Sequence, residues 1–219
     1  GLRRSKNRCS AISLSMKVGL YFGTFNPIHV GHLVIANYMA EFTDLDQVWL
    51  VVTPQNPLKK KSSLLPDYHR FALVQTAIQD NPKLRASDVE FKLPQPNYTS
   101  TTLAYLREKH PDHEFSLIMG EDNLRTLHKW YNHEQLMKQY TFYVYPRVLT
   151  IQEEEEVKEI GHKIENAFAD HSSVIMCEDA PVMKVSASFI RQAIKDGKDV
   201  RYLLTEPVHR YIDEMNFYK

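Results

Sequence analysis

Two rhythms of apolar and polar positions alternate along the chain. Short apolar runs at 17–22, 47–53, 115–119, 141–145 and 173–176 read as strands. Between and after them, apolar positions recur three and four apart, which predicts helices over about 31–42, 67–80, 99–109, 132–139, 152–169, 186–196 and 205–215. Strand–helix alternation of this kind predicts an α/β fold: a doubly wound parallel sheet with helices on both faces, followed by a small C-terminal helical part. In such sheets ligands sit at the carboxyl ends of the strands. Three polar, turn-rich segments would share that rim: Gly23–His32, Pro54-Gln55-Asn56-Pro57 and Gly120-Glu121-Asp122. There is no internal repeat.

The first of these segments carries candidate chemistry. Gly23, Asn26 and Pro27 punctuate a turn, and a helical pattern starts at Gly31. His29 and His32 therefore fall at or just before a helix N-terminus, three residues apart and on one side. Gly31 between them would let a large group approach the backbone. Free N–H groups, a positive dipole end and two imidazoles suit a phosphate chain. The spacing alone is weak, because 10 histidines in 219 residues give about half a chance pair. His110-Pro111-Asp112-His113 has the same spacing without the surrounding strand, turn and glycine, and reads as a solvated loop.

A second anion-suited helix start lies near Val185-Ser186-Ala187-Ser188-Phe189-Ile190-Arg191. Ser186 is a good N-cap, Ser188 adds a hydroxyl in the first turn, and Arg191 follows one turn later. Neither a Walker A motif nor G-x-G-x-x-G is present, which disfavours the P-loop and dinucleotide alternatives.

Composition narrows the partners. Lys+Arg and Asp+Glu are equal at 27 each, which argues against general nucleic-acid or membrane-surface binding. No apolar run reaches the length of a membrane span. Cys9 and Cys177 form no metal or redox spacing, so a reducing cytoplasmic setting is the plain expectation. Residues 1–15 are basic and serine-rich and lack a secretion signal's apolar core. They are expected to be a disordered extension, leaving 16–219 as one domain. Glu153–Glu156 reads as a solvated helix start.

Together the segments resemble a known family. Gly-Thr-Phe-Asn-Pro-Ile-His-Val-Gly-His at 23–32 and Val-Ser-Ala-Ser-Phe-Ile-Arg at 185–191 are similar to the paired H/T-x-G-H and I-S-S-T-x-I-R signatures of nucleotidyltransferases. Thr53–Pro57, Pro96–Leu103, Ile118–Leu124 and Trp130-Tyr131 resemble segments of the bacterial nicotinate-mononucleotide adenylyltransferases, in order, across about residues 16–215. The resemblance implies a Rossmann-like fold and transfer of AMP from ATP to nicotinate mononucleotide, giving deamido-NAD and pyrophosphate. It implies that His29, His32 and Arg191 act on the phosphates. Gly23, Thr24, Phe25, Gly31, Gly120, Asp122, Ser186 and Ser188 would bind ATP. Asn56, Tyr98, Thr99 and Trp130 would line the nicotinate side, with Trp130 stacking on the pyridine ring. Mg²⁺ would bridge the triphosphate, with no protein metal ligand expected.

The match has departures. Asn26 stands where many relatives have aspartate, Phe22 where many have glycine, and Ala187-Ser188 for the usual Ser-Thr. Leu93 replaces a frequent arginine, and Lys59-Lys60-Lys61 lies in a loop that is usually proline-rich. Thr99 or Ser100 could simply cap the 99–109 helix, and Trp130 could be a core residue. Transfer to the amidated mononucleotide or to phosphopantetheine is the alternative chemistry. A non-catalytic ATP sensor and a class I aminoacyl-tRNA synthetase fragment are the alternatives from other classes.

Overall fold

The structure is a computed structural model that describes residues 15–56, 61–148 and 168–219. Six strands form one fully parallel sheet in the order β3-β2-β1-β4-β5-β6. They are β1 (Lys17–Gly23), β2 (Gln47–Val52), β3 (Leu84–Ser87), β4 (Glu114–Gly120), β5 (Phe142–Tyr145) and β6 (Val174–Met176). The helices are α1 (Val30–Phe42), α2 (Asp67–Ile78), α3 (Thr99–Lys109), α4 (Glu121–Arg125), α5 (His133–Gln139), α6 (Ala187–Lys195) and α7 (Glu206–Glu214).

Alternate strand residues feed two cores. Val18 and Leu20 of β1, Trp49 and Val51 of β2, and Phe115, Leu117 and Met119 of β4 face α3 and α5 through Leu103, Leu106, Leu136 and Met137. On the opposite face, Tyr21, Val48, Leu50, Val52 and Ile118 pack with Ile35, Met39, Leu73 and Val74 of α1 and α2. Ile190, Val208 and Ile212 bring α6 and α7 onto that same core. A sheet covered on both faces needs apolar residues at every strand position, which is why its strands read as runs rather than as alternation.

The expected doubly wound sheet is therefore present, with the small helical part made by α6 and α7. β1 pairs with β2 on one side and β4 on the other, in register Leu20 with Trp49 and with Leu117. The strand order reverses there, so a crevice opens beyond the ends of β1 and β4, the usual ligand position. The turn after Gly23 and the turn after Gly120 flank it.

One strand and one α-helix, besides three short 3-10 turns, escape the sequence pattern. β3 has only Leu84 buried among its four residues and shows no apolar run. α4 has a single turn, too short for periodicity. The predicted 152–169 helix and the Glu153–Glu156 run lie outside the described residues, apart from 168–169 in a turn. Residues 1–14, and with them Cys9, also lie outside, as do Pro57, Lys59 and Lys60. The His110/His113 loop corrects an expectation. Both rings are half-buried, stack parallel at 5.3 Å, and meet the Trp49 ring edge-on. Trp49 and Phe115 give the imidazoles an apolar surface, while Pro111 and Asp112 between them stay exposed, so the loop is solvated at its tip and packed at its two histidines. Among the described residues, no helix is long and apolar enough to cross a membrane.

Candidate active site

The turn after β1 is built by its own side chains. Phe25 sits at φ +49°, a left-handed backbone that bulky residues rarely adopt. Its ring folds back into the core, and a Cβ at Gly23 would lie 2.8 Å from it, so Gly23 makes room for Phe25. The expected contacts of Gly23 and Phe25 with ATP can therefore involve only their backbone, because the Phe25 ring is buried against Tyr21 and His32.

His29 is the N-cap of α1. Its Nδ1 accepts the N–H of Gly31 at 3.0 Å, and Nδ1 of His32 accepts the N–H of His29 at 3.2 Å. A backbone N–H can only donate, so both Nδ1 atoms are unprotonated and each neutral ring carries its proton on Nε2. The rings stack at 3.7 Å. Burial lowers the pKa of His29 to about 4, and burial together with His29 holds that of His32 well below the usual value. The pair is thus two neutral N–H donors near neutral pH, not a cation pair. A Cβ at Gly31 would lie 2.8 Å from the His29 ring, so this glycine also makes room for the capping imidazole.

The second signature meets this turn directly. Ser186 caps α6, accepting the N–H of Phe189 at 3.1 Å, as the sequence predicts. Arg191 donates to the carbonyl of Asn26 at 2.9 Å and to Oγ of Ser188 at 3.2 Å. A cavity of about 320 Å³ opens here, lined by Thr24, Asn26, His32, Lys61, Ser63 and Arg191, with Phe25, Leu64 and Ala187 completing it. His32 and Arg191 reach its wall. His29 does not: it is buried behind, as a cap. Lys61 brings a second cation from the lysine triplet.

Asn26 and Arg70 organise the surroundings, and sequence reasoning singled out neither as a site residue. Asn26 is buried. Its Nδ2 donates to the carbonyl of Ser63, and its Oδ1 accepts from the N–H of Leu65 and from the hydroxyl of Tyr218. Arg70 is wholly buried and donates to the carbonyls of Thr24, Thr53 and Leu65 and to Asp67. It thereby ties the exits of β1 and β2 to the start of α2. Each loop carbonyl accepts a charged hydrogen bond, which satisfies polar groups that burial would otherwise strand.

A second cleft, of about 490 Å³, adjoins Ser186. Its walls include Gly120, Asp122, Tyr145, Arg147, Lys184 and Phe189. A Cβ at Gly120 would come within 3.1 Å of the Tyr145 ring, so that residue is glycine to seat Tyr145. Asp122 is half-exposed and pairs with Nε of Arg147 at 3.1 Å. The cleft thus brings together Gly120, Asp122 and Ser186, the last of which lies outside the three segments expected to share the rim.

The nicotinate-side residues are more dispersed. Tyr98 is the N-cap of α3 with no side-chain cap bond, so neither Thr99 nor Ser100 caps this helix. Tyr98 packs at 4.8 Å against Tyr131, and both rings are substantially exposed. Trp130 is partly buried against the core of the α3 face. Asn56 is exposed beyond the end of β2. Tyr131, and not Trp130, carries the exposed ring of the Trp130-Tyr131 pair.

Among the described residues no group of three His, Cys, Asp or Glu converges as a metal cage. The donors lining the phosphate-sized cavity are N–H groups and cations, which bind oxyanions rather than Mg²⁺. These residues fit an ion carried in by a polyphosphate.

The fold and these two linked signatures define a nucleotidyltransferase: residues 20–193 match the cytidylyltransferase-like family. The chain is 56% identical over 204 residues to a probable nicotinate-nucleotide adenylyltransferase of Flavobacterium psychrophilum, spanning 93% of this chain and 100% of that one. It is 40% identical to its counterpart of the same name in Bacteroides fragilis, over 90% of each chain. The chain belongs to the nicotinate-nucleotide adenylyltransferase family. Its fold is also that of Plasmodium falciparum nicotinic acid mononucleotide adenylyltransferase complexed with NaAD, with a TM-score of 0.70 at 18% identity over 93% of this chain and 97% of that one.

Proposed function

We propose that the chain transfers the adenylyl group of Mg²⁺-bound ATP to nicotinate mononucleotide, releasing pyrophosphate. The observation that carries this is the single cavity in which His32, Lys61 and Arg191 meet beside the capped start of α6. An oxygen of the mononucleotide phosphate attacks the α-phosphorus; that P–O bond forms as the bond to the β-phosphate oxygen breaks, and its electron pair leaves on pyrophosphate. The nucleophile is already an anion, so no general base is needed. Positioning two polyanions and stabilising the leaving charge is the whole task.

The residues divide that task. His32 donates Nε2–H to the triphosphate, and neutrality suits it to orient phosphate without titrating at working pH. Arg191, with Lys61 and the N–H groups and hydroxyls of Ser186 and Ser188, takes the charge that develops on pyrophosphate. His29 sets the position of His32 by capping α1. Gly120 and Asp122 meet the adenosine side. The start of α3, whose cap residue adds no side-chain bond, offers backbone N–H groups to the nicotinate carboxylate beside Tyr98, Thr99, Asn56 and Trp130. The free, buried Cys177 thiol is in keeping with a reducing cytoplasm.

The test is pyrophosphate release with ATP and each of three acceptors: nicotinate mononucleotide, its amide, and phosphopantetheine. Nicotinate mononucleotide is expected to have the highest kcat/KM. Preference for the amide overturns the substrate, and no turnover with any acceptor overturns the enzyme.

A further inference from the structure

Tyr218 lies 192 residues from Asn26 in sequence, yet its hydroxyl is 2.6 Å from Asn26 Oδ1. The direction of this hydrogen bond is fixed. Leu65 N–H donates to the same Oδ1, and Nδ2 donates to the Ser63 carbonyl, so the amide has one orientation and Oδ1 only accepts. Burial pushes the Tyr218 phenol up, which keeps its proton in place to donate.

The chain around Tyr218 is shaped for this contact. Asn216 and Tyr218 both adopt left-handed backbone, at φ +53° and +67°. Such backbone is unfavourable for residues other than glycine and persists where packing determines it. Phe217 between them packs its ring 4.8 Å from His69 of α2. The charges of Arg191 and of the buried Arg70 both act on the Tyr218 phenol.

We infer that Tyr218 is a positioning residue for the reaction proposed above. Its hydroxyl holds Asn26, and Asn26 holds two working parts. The Asn26 carbonyl accepts Nη1 of Arg191, and its side chain fixes Ser63 and Leu65, which follow Lys61 in the cavity wall. Without the hydroxyl, the Asn26 side chain keeps Ser63 and Leu65 but loses one of its three hydrogen bonds, the one that ties it to the C-terminal segment, and the reference shared by the Arg191 fork and the Lys61 loop loosens. Misplacement on the scale of 1 Å costs up to about 10²-fold in rate even far from the chemistry.

The test compares Tyr218→Phe with wild type and with Tyr211→Phe, whose hydroxyl faces His69 rather than Asn26. Tyr218→Phe is expected to lower kcat about tenfold, with KM for the acceptor and the melting temperature close to wild type. Tyr211→Phe should keep its kcat. In an Asn26→Ala background, Tyr218→Phe should cost little further, because the contact it removes is already gone. A kcat near wild type in Tyr218→Phe, additive losses in the double variant, or a loss of rate that tracks unfolding would each overturn the assignment. The inference rests on the proposed reaction, yet the two fail separately. Wild-type turnover tests the reaction, and the ratio of variant to wild type, taken with whichever acceptor the wild type uses, tests Tyr218.

Discussion

Arg191 donates to the carbonyl of Asn26 across 165 residues of chain, joining the two signatures into one wall. The same guanidinium reaches Ser188, so two of its N–H directions are committed before any ligand arrives. The guanidinium so held lines the cavity shared with His32 and Lys61. This is preorganisation: the orientation is fixed by the fold and not acquired during the reaction.

Arg191→Lys tests whether orientation matters beyond charge. Lysine keeps the positive charge but offers a point donor that cannot hold Asn26 and Ser188 in one plane. The expected result is a fall in kcat of about 10²-fold, the usual cost of losing one preorganised donor. KM for the mononucleotide should change little. Steady-state kinetics by pyrophosphate release measures both, and a kcat within a few-fold of wild type would show that charge alone suffices.

The histidine pair makes a prediction about acid stability. His29 titrates near 6.5 when unfolded and at about 4 when folded. Its folded value is depressed, so the unfolded chain binds more protons between those limits, and stability falls as pH drops from 6.5 toward 4. The full effect is on the order of 3 kcal/mol, with about 2 kcal/mol of it appearing between pH 6.5 and 5. His29→Asn keeps an N-cap acceptor but removes the titration. Urea unfolding at pH 7, 6 and 5 should show a shallower decline in the variant than in wild type. Equal slopes would mean that His29 is not held neutral by the cap.

Local chemistry in this chain was legible, and long-range wiring was not. Ser186 was read as a cap because a hydroxyl before an apolar stripe satisfies nearby N–H groups, a relation confined to four residues. β1, β2, β4 and β5 are legible because burial on both faces leaves a continuous apolar run, whereas the edge strand β6 shows an apolar run although none of its residues is fully buried. Arg70 left no such trace. It looks like a surface charge on an amphipathic helix, and only the fold shows three loop carbonyls closing around it. Asn26 was noted as a departure from aspartate, but its importance comes from Ser63, Leu65, Arg191 and Tyr218, none of them nearby in sequence. Gly31 reads from the sequence as room for a ligand, and the fold adds a second reason for it, the His29 ring. The sequence shows that a side chain is missing there, not that the His29 ring takes its place.

Glu90 gives a prediction that runs opposite in pH to that of His29. This carboxyl lies in the turn after β3, is 4% exposed, and accepts a long hydrogen bond of 3.4 Å from the hydroxyl of Thr102 in α3. Burial raises its pKa to about 7, against 4.5 for the free side chain, and the Thr102 hydroxyl offsets only part of that. Because the folded value is raised, the unfolded chain releases the proton first, and stability declines as pH climbs from 4.5 through about 7. Above that range the folded protein carries a buried carboxylate, at a cost on the order of 3 kcal/mol relative to acid conditions. Glu90→Gln keeps an oxygen for Thr102 and removes the charge. The variant should match wild type near pH 5 and gain several degrees in melting temperature at pH 8, since about 1 kcal/mol moves a domain of this size by roughly 2–4 °C. A difference between variant and wild type that stays constant from pH 5 to 8 would show that Glu90 ionises normally in the fold.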